Sequence, residues 1–385
     1  MLKRNYSQAD IFVGGFVYNI NNIKVKILRI IRFAAINLAV FAALLIVVNW
    51  ASGVYLKKAL KTNRAELPNF AGNFEHAKAV FSDYSRVQHR YAPFVGWKAL
   101  PYRGKTTRIS NAGLRMHGSA TVEGEQKKIA RFFGGSTMWG EGSDDQHTIP
   151  AIFNALQPEY KVYNHGQLAY NTRQELDELI SVYSKHEKPD VVVFYDGVND
   201  AAFLCPNVIK DLPGHRLVPM YTDKLFTGKS VIVKDLFFEI FVENILAVIQ
   251  KLTYRPYPAN SLYNCVGDPE KAEAVAEIMM RNWEMANEIV KGRNGKFIAI
   301  LQPAAFVGQP RTDHLELDEE LEKNFQEIYR RLKQKIAERG HPWILDLSAI
   351  FDGDEYIFID FCHVSPNGNE IIAREISNIV SNLEE

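Results

Sequence analysis

From Ile129 to the C-terminus, short apolar runs alternate with longer amphipathic ones. The short runs are Ile129–Phe133, Lys161–Asn164, "DVVVFYDG" (Asp190–Gly197), "KFIAIL" (Lys296–Leu301) and Trp343–Leu347. Each predicts a strand. The continuous β-branched character of Asp190–Gly197 is that of a strand covered on both faces. Between them, Ile149–Leu156, Thr172–His186, Pro269–Val290 and Leu317–Arg339 repeat apolar residues at helical spacing. In Thr172–His186 the repeat is Leu176, Leu179, Ile180 and Tyr183. Gly340 closes the fourth of these helices, and a terminal helix starts at Ser365 as cap with Pro366 in its first turn. Strands alternating with helices predict a parallel sheet with helices on both faces, a three-layer α/β/α fold. Such sheets form their sites at the carboxyl ends of the strands.

Residues 201–268 break the alternation. They contain "VIVKDLFFEIFVENILAVI" (Val231–Ile249), with Val233, Leu236, Phe237, Ile240 and Phe241 on one helical face. This predicts an inserted helix packed on the main domain, or a lid, or a surface resting on lipid. Upstream, Phe33–Leu56 runs without a charge. At about 1.5 Å per residue it can span a bilayer core of about 30 Å. Trp50 and Tyr55 sit near one end, where amphipathic rings favour the interface. The resulting division is an N-terminal cytoplasmic segment at 1–32, a single membrane helix at 33–56 and a polar stalk at 57–80. A loop-rich lead-in opens the remaining domain, 81–385. Lys24, Lys26, Arg29 and Arg32 before the helix, with Lys3 and Arg4 farther back, give the N-terminal side a slight basic excess over Lys57, Lys58, Lys61 and Arg64 after it. That places the domain outside the cytoplasm.

Composition narrows the classes. The 385 residues are 47% apolar, enough for a sizeable core, and 45 Lys plus Arg balance 45 Asp plus Glu. No basic surplus points to nucleic acid. The three cysteines, Cys205, Cys265 and Cys362, make neither a disulfide framework nor a metal spacing. Cys205 and Cys265 flank the insertion and are either a bridge or two buried thiols.

Candidate chemistry begins at "IARFFGGSTMWGEG" (Ile129–Gly142), where a strand ends in glycines and a serine. A P-loop would need a lysine where Glu141 stands. A dinucleotide loop lacks its third glycine, and a Gly-x-Ser-x-Gly elbow is excluded by Met138. What remains is a strand-to-helix turn that exposes Ser136, or else a plain helix cap. Polar residues also follow the other strands: His165-Gly166-Gln167, then Gly197-Val198-Asn199-Asp200, then Asp360 and His363 three apart in "DFCH".

In this order "GGSTMWG", "NHGQ", "YDGVND" and "DFCH" resemble the blocks of the SGNH (GDSL-type) hydrolase superfamily, over roughly residues 90–385. The resemblance implies a flavodoxin-like parallel sheet, Ser136 as nucleophile, and His363 with Asp360 as base and orienter. It further implies an oxyanion hole from the Ser136 and Gly166 N–H groups and the Asn199 amide, with no cofactor and no metal. Gly135 stands where the usual block has aspartate. The lead-in "YAPFVGWKALPYRG…NAGLRMHG" resembles that of bacterial membrane-anchored members linked to surface polysaccharides. The implied activity is a membrane-anchored serine esterase removing acetyl or another short acyl group from a carbohydrate. Two alternatives are an O-acyltransferase with the same triad and a non-catalytic carbohydrate-binding protein on the same fold. Among other polar features, Asp144, Asp145 and His147 read as a solvated loop rather than a metal site. Trp139 either stacks on a sugar or packs inside. Cys362 reads as a small buried residue.

Overall fold

The computed structural model describes residues 9–59, 64–117, 128–185, 188–206, 209–215, 217–218 and 265–382. The chain forms two units, and Thr62–Gly228 with Tyr257–Glu385 make the larger. The described part of the other is one helix, α1 (Ala9–Ala59). Within α1, Lys24–Ser52 is apolar and long enough to cross a bilayer. This stretch begins nearer the N-terminus than the uncharged run 33–56, because basic residues occupy only its first turns. Asn37, a polar side chain inside it, donates to the Phe33 carbonyl at 2.7 Å, which satisfies the amide within the helix.

In the larger unit a five-stranded sheet is built from β5 (Lys128–Gly134), β6 (Tyr160–Asn164), β7 (Val191–Asp196), β8 (Lys296–Leu301) and β9 (Ile344–Asp346). All neighbours pair in parallel, in the order β6-β5-β7-β8-β9. This is the 2-1-3-4-5 order of flavodoxin-like sheets, with the order reversing at β5. The helices are α2 (Phe74–Tyr84), α3 (Ser136–Trp139), α4 (Ile149–Leu156), α5 (Thr172–Ser184), α6 (Val198–Leu204), α7 (Pro269–Lys291), α8 (Glu319–Arg339) and α9 (Pro366–Asn382). Side chains alternate across the sheet, so each strand feeds two cores. Phe133, Val192 and Phe194 pack against Leu179, Trp283 and Ile328 from α5, α7 and α8. Phe132, Val193 and Tyr195 pack on the other face against Phe153 and Ile372 from α4 and α9. The expected three-layer α/β/α arrangement is the one observed.

Two readings change and one open alternative is settled. The lead-in is not only loop. It holds two short antiparallel pairs, β1 (His89–Ala92) with β2 (Gly96–Ala99) and β3 (Tyr102–Arg103) with β4 (Arg108–Ile109). Their strands are too short to leave a period-two signal. The polar segment 57–80 is not uniformly a stalk. From Arg64 it is folded, and Phe70 and Ala77 pack with Ile359 of the main domain. Cys205, just beyond α6, and Cys265, just before α7, are joined in a disulfide, which ties the two ends of the insertion together. The inserted helix expected at 231–249 lies outside the described residues.

Candidate active site

Three neighbouring strands deliver the first groups. β5 runs directly into Ser136, β6 into Gly166 and β7 into Asn199. They meet at the carboxyl edge of the sheet, beside the point where strand order reverses. The fourth block lies beyond β9, in the loop that precedes α9. There Phe358 and Val364 bridge antiparallel, and the Ile359 N–H donates to the His363 carbonyl at 2.8 Å. At the tip, Asp360 Oδ1 accepts the backbone N–H groups of Cys362 at 3.0 Å and His363 at 2.8 Å. This explains the spacing of three. The carboxylate that folds the turn also reaches the imidazole it presents.

The histidine and serine are more than two hundred residues apart in sequence, yet His363 Nε2 lies 2.7 Å from Ser136 Oγ. On the other side of the ring, His363 Nδ1 is 2.8 Å from Asp360 Oδ2 and 2.9 Å from Oδ1. A carboxylate at Nδ1 fixes the proton there and leaves the Nε2 lone pair for the hydroxyl. The imidazolium beside Asp360, together with the two backbone donors, holds the Asp360 carboxyl well below the usual carboxylate range. His363 is raised well above an ordinary histidine, foremost by Asp360, against the burial that opposes its charge.

Ser136 opens the one-turn helix α3, where its N–H has no intrahelical acceptor. Asn199 stands beside Gly135, the residue before Ser136. A Cβ added to Gly135 would lie 2.0 Å from Asn199 Nδ2. Any side chain at 135 would require the Asn199 amide, the far end of a flexible side chain, to shift. Asn199 Nδ2 spends one N–H on the Tyr170 carbonyl at 2.6 Å, and a primary amide has a second. The turn carrying Asn199 is pinned by Asp200, whose carboxylate accepts the Thr172 hydroxyl at 2.7 Å and the Thr172 N–H at 3.2 Å.

Gly166 is brought to the site, but its N–H donates to Asn164 Oδ1 at 2.9 Å. The oxyanion role expected for it is unavailable while that bond stands. Its glycine has a different use. A Cβ there would lie 2.4 Å from the Trp139 nitrogen, so only glycine lets the two loops close. Asn164 also donates to the Met138 carbonyl at 3.1 Å, fastening β6 to the end of α3.

Several residues that shape the site left no recognisable signal in the sequence. Arg115 is buried and donates to the carbonyls of Trp139 (3.1 Å), Gly140 (2.7 Å) and Ser143 (2.6 Å). It also contacts Asp145 at 3.3 Å, and its guanidinium lies 4.2 Å from the centre of the Trp139 ring. It braces the whole turn after Ser136. Arg115→Ala would leave Asp145 with Arg108 alone and take the guanidinium donors from the buried carbonyls of Gly140 and Ser143. A loss of about 3 kcal/mol is expected in urea unfolding of the full chain, from buried acceptors left unsatisfied. Arg115→Lys would restore little, since a point ammonium cannot span three carbonyls. Arg64 and Glu141 are the other two missed residues. Arg64 Nη1 bridges Asp360 Oδ2 at 2.9 Å and Glu141 Oε1 at 2.7 Å, and Glu141 Oε2 is 3.1 Å from His363 Nε2. Such links join segments distant in sequence, and neither residue belongs to a motif.

The remaining candidates resolve simply. Trp139 is buried, with Tyr84 at its edge, so packing holds and sugar stacking is excluded in this arrangement. Asp144 pairs locally with His147 at 2.6 Å and, across 68 residues of sequence, with His76 at 2.7 Å, on partly exposed side chains. Asp145 departs from the solvated reading. It is buried between Arg108 and Arg115. Burial pushes the Cys362 thiol up to about 12, so it is no thiolate at neutral pH.

No protein-family model matches the chain, and no curated protein does. Among solved structures it is similar to a member of the lipolytic G-D-S-L family from Veillonella parvula, at 12% identity and a TM-score of 0.37, covering 66% of this chain and 98% of that one. It is similar to a carbohydrate acetylesterase from Sinorhizobium meliloti, at 14% identity and a TM-score of 0.36, covering 67% and 100%. A GDSL-like lipase from Bacteroides thetaiotaomicron matches at 15% identity and a TM-score of 0.37, covering 66% and 89%.

Proposed function

We propose that the chain is a membrane-anchored serine ester hydrolase of the SGNH type, acting on short O-acyl groups of a carbohydrate. The observation that carries this is the Ser136–His363 approach of 2.7 Å with Asp360 behind the ring. A serine hydroxyl is a weak nucleophile until a neighbouring base takes its proton. Here Ser136 Oγ attacks the ester carbonyl carbon while His363 Nε2 receives the proton. Asp360 holds the imidazolium. The Ser136 N–H and the free N–H of Asn199 Nδ2 receive the oxyanion. Gly166 adds a third donor only by releasing Asn164. When the tetrahedral adduct collapses, His363 returns the proton to the leaving alcohol. Water repeats the sequence on the acyl-serine.

An extracytoplasmic domain has two independent supports. One is the basic excess on the N-terminal side of the uncharged run 33–56, where Lys3, Arg4, Lys24, Lys26, Arg29 and Arg32 stand against Lys57, Lys58, Lys61 and Arg64 on the other side. The other is the Cys205–Cys265 disulfide, which persists in oxidising compartments. The carbohydrate rests on the resemblance of the lead-in to polysaccharide-linked members. The test is incubation of the full chain in detergent with an O-acetylated glycan. Free acetate is expected at the same yield with or without a second, unacetylated glycan. Acetate transferred to the added glycan would make the protein an acyltransferase. Turnover of simple esters with neither outcome on glycans would overturn the carbohydrate assignment.

A further inference from the structure

The imidazole of His363 has a carboxylate at each nitrogen. Asp360 is at Nδ1, and Glu141 Oε2 is 3.1 Å from Nε2, on the side where Ser136 Oγ also sits. Glu141 is buried, at 5% side-chain exposure. Its place is fixed three ways. Its own N–H donates to the Ser136 carbonyl at 3.0 Å, Arg64 holds Oε1 at 2.7 Å, and the Tyr84 hydroxyl bonds its carboxylate. The groups facing His363 are therefore Asp360 and Cys362 from its own loop, Ser136 and Glu141 from α3 and the turn after it, and Arg64 and Tyr84 from the N-terminal segment.

A carboxylate at this position treats the two states of the ring differently. With Nδ1 protonated, neutral imidazole turns the Nε2 lone pair toward Glu141, which repels it. Imidazolium turns an N–H toward it, which is attracted. We propose that Glu141 is a positioning residue that captures the Nε2 proton of His363 in competition with Ser136 Oγ, stabilising the imidazolium of the acylation step and setting the pH at which the serine is activated. This inference rests on the serine-hydrolase reading and goes beyond it. The triad needs one carboxylate, and the second imposes a trade. Below the histidine's titration the enzyme rests protonated and idle. Above it, the imidazolium formed in the transition state gains a partner that the ground state lacks.

The test is the pH profile of kcat/KM for p-nitrophenyl acetate, with fluorophosphonate labelling rate as a second readout, on the full chain and on Glu141→Gln. The acid limb reports His363 in the free enzyme. Gln keeps the shape and removes the charge. The limb is expected to move down by about one pH unit, so the variant is about tenfold faster on the acid side. Its alkaline plateau is expected to fall about tenfold, and the two profiles cross. Tyr84→Phe frees Glu141 from one donor and is expected to move the limb upward. If Glu141→Gln does not fold, that variant decides alone. A limb that stays in place while the serine still labels overturns the role of Glu141 only. Absence of both labelling and turnover in the unaltered chain overturns the hydrolase reading, and this inference with it.

Discussion

Ser136→Ala is expected to lower kcat for a short-chain ester by about 10⁶ and to abolish fluorophosphonate labelling, because removing the nucleophile of such a unit removes nearly all that the unit does. A residual rate about 10³–10⁴ above water can survive from the oxyanion donors and substrate binding. The substitution is structurally mild. The Ser136 hydroxyl's hydrogen bond is to His363, and α3 is held by backbone bonds such as Trp139 N–H to the Gly135 carbonyl at 3.0 Å. The melting temperature should therefore stay within a degree or two of the parent while activity disappears. Cys362 cannot take over, since burial keeps its thiol protonated. Retention of ordinary activity in the alanine variant would mean that some other group is the nucleophile, and the mechanism above would be wrong.

The parts of this site that the sequence announces are those fixed by local rules. A β-branched run such as Val191–Asp196 needs only its own residues to declare a buried strand. Asp360 and His363 sit three apart because one carboxylate both closes their turn and meets the ring. What could not be read depends on approach between distant segments. Arg115 is an ordinary arginine in a turn-rich stretch until folding lays it under three carbonyls of the loop after Ser136. Arg64 follows an apolar helix and looks like a flanking charge, yet it reaches Asp360, 296 positions away. Gly166 teaches the converse. Its place was legible, but its backbone is engaged with Asn164, two residues earlier. That choice is made by side-chain rotamers, which no spacing rule encodes.

Asp360→Asn is expected to lower kcat by about 10⁴ while leaving the fold intact. The reason lies in the direction of each bond. Oδ1 accepts two backbone N–H groups, from Cys362 and His363, so the oxygen of an asparagine amide must take that place. Its NH₂ then occupies the position of Oδ2, which faces His363 Nδ1 at 2.8 Å and the Arg64 guanidinium at 2.9 Å. A donor there forces Nδ1 to accept, and the ring proton moves to Nε2. Glu141, 3.1 Å from Nε2, accepts that proton and holds the ring in the wrong tautomer. Ser136 then has no base. The same exchange changes stability with pH. The depressed carboxyl of Asp360 contributes stability that is present above the unfolded value of about 4 and lost as pH falls through the folded one. The raised imidazole contributes stability that is present below about 6.5 and lost as pH rises through its folded value. In the variant the acid slope should disappear with the carboxyl, and the slope from His363 should shrink to what Glu141 sustains, in a series of melting temperatures from about pH 3 to 9. A variant that keeps its activity, or keeps both slopes, would place the orienting carboxylate elsewhere, with Glu141 the first alternative to test.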